Sequence, residues 1–170
     1  MLHPYRGVSP SLHPTVFAVE SAQIIGDVVI GQDSSVWYNA VIRGDVNYIR
    51  IGERTNIQDG CLLHVRHKKY PLILESDITM GHGAIVHGCT IKSTCLIGMG
   101  AVVLDNATIG SYSLVAAGAV VRDNMSVPEG VLVAGVPAKI VRDLTDAERA
   151  MIAESARNYV GYVEQYRQQR

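Results

Sequence analysis

Residues 91–132 read IKSTCL-IGMGAV-VLDNAT-IGSYSL-VAAGAV-VRDNMS-VPEGVL, and Val133 opens the next block in the same phase. An aliphatic residue begins each of eight successive blocks, from Ile91, Ile97 and Val103 through to Val133. The fifth place of a block is compact in most cases: Cys95, Ala101, Ala107, Ser113 and Ala119. A six-residue period fits neither a helix of 3.6 residues per turn nor a strand alternating every two. It fits short strands joined by tight turns, with one aliphatic and one compact side chain per block pointing inward. Three blocks, about 18 residues, close a triangular coil, and successive coils stack at the strand spacing of ~4.8 Å.

The pattern extends towards the N-terminus through Ile24, Ile30, Val36 and Ile42, then Ile51, Ile57 and Leu63, then Leu74, Met80 and Val86. Its phase breaks three times. Three residues are inserted between Ile42 and Ile51, five between Leu63 and Leu74, and one is deleted between Val86 and Ile91. Projecting loops are expected at such breaks, because a solenoid places function there. The second break makes a polar loop, Val65–Pro71, that contains the basic run Arg66-His67-Lys68-Lys69.

Composition supports this reading. Hydrophobic residues make up 48% of the 170, yet aromatics are only 6%, so thin aliphatic layers build the core. With 18% charged residues and a net charge of −1, the chain is neither a disordered nor a nucleic-acid-binding type. No apolar run approaches the ~18 residues of a membrane helix, and the start MLHPYRGVSP has no secretory character. Three cysteines without CxxC spacing read as thiols of a reducing cytoplasm.

After Arg142 the character changes. Thr145 and Glu148 form a capping box, and Ile152, Ala156, Tyr159 and Val163 recur at helical spacing. The expected division is a β-helix over 1–142 and a C-terminal α-helix within 143–170 packed along its wall. Gly161 weakens that helix, and the polar end YRQQR is expected to fray.

Three of six histidines hold defined places in the repeat. His64 follows Leu63 and His87 follows Val86, one full coil later, so the two stack. Arg43, after Ile42, precedes them in the same column if the insertion between Ile42 and Ile51 is a bulge. His82 lies two residues after Met80, around a corner, with Asp59 one coil before it. His82 is therefore expected to meet the stacked pair of a neighbouring molecule, and three such contacts close a ring. Three imidazoles with one open position suit catalytic zinc. A plain polar ladder on the wall is the alternative from spacing alone.

The segments RGDV (43–46), NIQDGCLLH (56–64), GHGAIVHGCTI (81–91) and LIGMGAVVLD (96–105) resemble the γ-class carbonic anhydrases, over nearly the whole chain. The resemblance implies a left-handed parallel β-helix and a homotrimer with metal between subunits. It implies His64, His82 and His87 as ligands of Zn2+, with Fe2+ or Co2+ also suited. It matches Arg43 and Asp45 to an ion-paired support of site and interface, Gln58 and Asp59 to the metal's surroundings, Asn56 to the interface, and Tyr159 to an active-site tyrosine. The implied activity is reversible hydration of CO2 to bicarbonate by hydroxide generated on the metal at a subunit interface. Val46 stands where some members carry a proton-transferring glutamate, and the basic loop replaces an acidic one. Slow, buffer-dependent turnover follows, with His67 as a candidate relay.

Two other functions fit a hexapeptide β-helix. An acyltransferase drawing on acyl-CoA needs one general-base histidine and no metal, and AGVPAK (134–139) resembles an element of those enzymes. A non-catalytic metal-binding relative of the anhydrases is the other.

Overall fold

A computed structural model describes residues 1–169; Arg170, the last residue of the expected C-terminal segment, lies outside the described residues. The chain forms a left-handed parallel β-helix closed by one C-terminal helix. Every aliphatic residue that opens a block is turned into the prism and lost to solvent, as are the compact partners from Val28 to Ala119. The core is one continuous column of such layers.

The inward residues form three vertical ladders. Ile24, Ile42, Leu63, Val86, Val103 and Val121 pair in parallel on the first face. Ile30, Ile51, Leu74, Ile91, Ile109 and Val127 form the second. Val36, Ile57, Met80, Ile97, Val115 and Val133 form the third. Along the first ladder the residue steps are 18, 21, 23, 17 and 18. Each insertion or deletion thus lengthens or shortens one coil without disturbing the stack.

The first insertion does not project as a loop but is the bulge that places Arg43 in the histidine column. The chain from Val41 to Ile51 is a single bent strand, lying on the equally continuous Gln23–Ile30. The extra residues are absorbed as a register shift between Gly26 and Val28. Gly26 has φ +76°, and a Cβ there would overlap the Gly44 carbonyl oxygen, so the bend depends on bare backbone. The second insertion is the loop anticipated, closed by the Arg66 amide donating to the Tyr70 carbonyl at 2.9 Å.

At the open end of the last coil, Lys139–Asp143 runs antiparallel to Val131–Ala134 and covers its edge. The helix α1, Asp146–Gln168, begins with both halves of the capping box in place. It buries Ile152, Ala156 and Val163 against the third face. The first two residues of the end expected to fray are held: the Tyr166 ring stands edge-on to Trp37 at 5.0 Å, and Arg167 donates to the Thr15 carbonyl at 2.7 Å. No helix among the described residues is long and apolar enough to cross a membrane.

Candidate metal centre

His64 and His87 end two adjacent strands, Leu62–His64 and Ile85–His87, and are direct partners in the parallel ladder. Their rings meet with His64 Nδ1 3.0 Å from His87 Nε2. Each far ring nitrogen donates to a carboxylate. His64 Nε2 is 3.0 Å from Asp45 Oδ1, and His87 Nδ1 is 2.6 Å from Asp105 Oδ1. An ionised aspartate only accepts, so these bonds place the protons on the far nitrogens. With both rings neutral, the two near nitrogens then face each other as lone pairs. A cation relieves that arrangement. Tetrahedral zinc with bonds of ~2.0–2.1 Å spaces two ligand nitrogens about 3.3 Å apart, within a few tenths of an ångström of the pair here. The donor chemistry therefore fits a divalent ion, and ligand histidines backed by carboxylates are its usual setting.

Both carboxylates are tied to arginines. Arg43 donates to Asp45 Oδ2 through a very short contact, and Arg66 donates to Asp105 Oδ2 at 3.1 Å. Burial pushes the Asp45 carboxyl up, but the bonds from His64 and Arg43 outweigh it and hold it below its usual range. Burial, with Arg43 and His87 alongside, holds the His64 imidazole below its ordinary value despite Asp45. A neutral imidazole is the form a metal needs. The pair opens onto a groove of about 210 Å³ whose walls include Val41, Arg43, Leu62 and Ile85.

The third histidine is elsewhere. His82 follows the strand Thr79–Met80 of the third face, and its Nδ1 is 2.8 Å from Asp59 Oδ2, one coil below. That bond leaves Nε2 free on a side chain that is 51% exposed. Among the described residues of one chain, no three histidines, cysteines or acids come together as a metal site. The chain carries two stacked imidazoles at one corner and a single oriented imidazole at another.

Behind His82 lies a cleft of about 460 Å³ reached by Gln58, Ser155 and Tyr159, with an aliphatic floor that includes Leu96 and Leu114. A buried polar line backs it. Gln58 donates to Asn56 Oδ1, Asn56 to the Thr79 hydroxyl, and Thr79 to Ser155 of the helix, at 3.0, 3.0 and 3.1 Å. Tyr159 stands edge-on to Trp37, and burial, with Asp59 nearby, pushes its hydroxyl above the ordinary value. Gln58, Asn56, Asp59 and Tyr159 thus gather around His82, while Arg43 and Asp45 gather around His64. Val46 packs against the core, and His67 is exposed.

Sequence reasoning passed over Asp105 and Thr79. Asp105 lies two places after Val103, the offset that Asp59 and His82 occupy after Ile57 and Met80, and that signal was available. Thr79 meets Ser155 across 76 residues of chain, with no local sign.

Comparison with known proteins follows the same lines. The family model of the bacterial transferase hexapeptide (six repeats) matches residues 88–123. A probable carbonic anhydrase of Methanocaldococcus jannaschii is 56% identical, over 83% of this chain and 88% of that protein. Gamma carbonic anhydrase 2, mitochondrial, of Arabidopsis thaliana is 44% identical over 89% of this chain, which spans 56% of its length. A solved structure from Bacillus cereus, described as a putative acetyltransferase, superposes with a TM-score of 0.96 at 41% identity, covering 99% of this chain and 98% of that one.

Proposed function

Because the chain belongs to the γ-class carbonic anhydrase-like family of hexapeptide-repeat proteins, we propose that it is a metal-dependent carbonic anhydrase assembled as a homotrimer. In this reading His64 and His87 of one subunit and His82 of the next hold a divalent ion, zinc or else iron(II) or cobalt(II). The observation that carries it is the pair of facing imidazole nitrogens, each ring fixed from behind by an aspartate. Such an ion lowers the pKa of a coordinated water towards ~7, which supplies a nucleophile for CO2 at neutral pH.

The chain's own residues supply the rest. Asp45 and Asp105 hold the stacked imidazoles in the tautomer that aims a lone pair at the ion, and Asp59 does so for His82. Gln58, held by Asn56, presents an amide to the same space. The aliphatic walls of the cleft favour apolar CO2 over water. Assembly is supported by a registered outward column of Val41, Leu62, Ile85, Val102 and Val120 beside the histidine pair. Leu62 and Ile85 are 44% and 38% exposed in the single chain, and a second copy would cover them. Val46 offers no proton acceptor, so turnover depends on external buffer. The three free, buried thiols suit a reducing compartment, and cytoplasmic residence is part of this reading.

The test is stopped-flow CO2 hydration by zinc-, iron- and cobalt-reconstituted protein, with His82→Ala as control and metal content and mass measured in parallel. Expected are a trimer with one ion per chain, and hydration that the control loses. A fully loaded trimer with no hydration above the control overturns the anhydrase reading and leaves a metal-binding subunit. The likeness to a protein described as a putative acetyltransferase makes acyl transfer the competitor, and acetyl-CoA binding by metal-free protein would favour it.

A further inference from the structure

We propose that Asp105 and Arg66 are positioning residues that fix His87 for metal binding, and that the basic loop serves to deliver Arg66 to Asp105. This rests on the metal centre described above. Asp105 divides its two oxygens between two partners: Oδ1 accepts from His87 Nδ1 at 2.6 Å and Oδ2 from Arg66 at 3.1 Å. Its side chain is only 13% exposed, so both bonds act where water competes poorly. The shortened corner between Val86 and Ile91 makes room for it. A Cβ at Gly88 would come within 2.5 Å of Asp105 Oδ1, so a bare backbone there admits the carboxylate.

The loop is anchored on both sides of Arg66. The Arg66 carbonyl accepts from Asn47 Nδ2 at 3.1 Å, its amide donates to the Tyr70 carbonyl, and the Lys68 amide donates to the Val46 carbonyl at 3.3 Å. Arg66 is thereby held over Asp105 although its own side chain is 61% exposed. The outcome mirrors the other ligand. His64 is backed by Asp45 and Arg43, and His87 by Asp105 and Arg66. Each line keeps the proton on the nitrogen away from the ion and stops the ring from turning. A loop that stands in the place of a proton shuttle thus works as a strap on one ligand.

The test compares wild type, His87→Ala, Asp105→Ala, Asp105→Asn and Arg66→Ala as full-length protein. Zinc affinity is read by chelator competition, and the His87 tautomer in metal-free protein by nitrogen-15 NMR. Asp105→Ala should weaken zinc binding ten- to a hundredfold, the range for loss of such a backing carboxylate. It should also release His87 from the Nδ1-protonated tautomer. Asp105→Asn, whose carbonyl oxygen still accepts from Nδ1, should restore most of both. Arg66→Ala should cost up to about fivefold, as befits an exposed ion pair. Wild-type zinc affinity in Asp105→Ala, with His87→Ala deficient, overturns the proposal and leaves the centre standing. Equal, weak zinc binding by wild type and His87→Ala strikes the centre instead. The clamp is then judged by the tautomer alone, and a tautomer unchanged in Asp105→Ala overturns it.

Discussion

Mixing a His64→Ala chain with a His82→Ala chain should restore metal sites that neither chain forms alone. His64 and His87 touch at 3.0 Å at one corner of the prism, while His82 is held by Asp59 at another. In a ring, each complete centre then draws its stacked pair from one subunit and its third imidazole from the next. The His82→Ala chain keeps an intact pair, and the His64→Ala chain keeps an intact His82. A junction is whole only when the first is followed by the second in ring order. For equal amounts assorted at random, half of the junctions begin with the right chain and half of those continue with the right one. About one quarter of wild-type zinc should therefore return, whatever the number of subunits in the ring. The two variants are unfolded, mixed, refolded together and freed of loose metal, and zinc per chain is counted beside each variant refolded alone. Recovery of zinc near the quarter, with hydration rising in step, is the expected result. Full zinc in either variant alone, or none gained on mixing, refutes a centre shared between subunits.

Gly26→Ala should destabilise the fold by about 2–4 kcal/mol, because it adds a left-handed conformation and a clash with the Gly44 carbonyl, and denaturant unfolding measures it. Burial pushes the Cys61 thiol up to about 11 and those of Cys89 and Cys95 to about 12. A raised thiol pKa means less thiolate, so all three should resist a thiol reagent at pH 8 in native protein and react once it is unfolded; fast labelling of the folded protein contradicts this. His67 is exposed on the basic loop, so His67→Ala should slow hydration in weak buffer and recover with added imidazole; unchanged turnover removes it as a relay.

The core was legible because its rule is local. Each of Ile97, Val103 and Ile109 announces its inward place by the residue six before it, and the parallel pairing of Leu63 with Val86 follows from counting three blocks. Counting residues does not reveal their path, however. The three extra residues after Ile42 could leave as a loop or stay in a strand, and the Gly26–Gly44 contact decides for the strand. The polar end YRQQR looks unanchored until Tyr166 is seen against Trp37, a partner 129 positions away. The stacking of His64 on His87 could be counted, and so could the offset of Asp105 after Val103, whereas its approach to His87 across the bare corner at Gly88 shows only in the geometry.

The division of the ligands follows from what a solenoid can do. Stacked coils bring equivalent positions within strand spacing, so a column supplies two ligands readily. A position at another corner of the same coil is separated from that column by the filled core. A third ligand must then come from a third coil in the column or from another molecule. Here the coil before His64 offers Arg43, a cation that cannot ligate, and the coil after His87 offers Leu104, an apolar side chain, with Asp105 one place further on and committed to His87 and Arg66. Neither neighbour in the column supplies a third ligand, and in the proposed assembly a partner's His82 would complete the site. Metal and assembly are then linked: an ion that binds only the assembled form stabilises it by RT ln(1 + [L]/Kd), about 4.1 kcal/mol per site at a thousandfold excess over Kd. By reciprocity, dilution that separates subunits must release the ion.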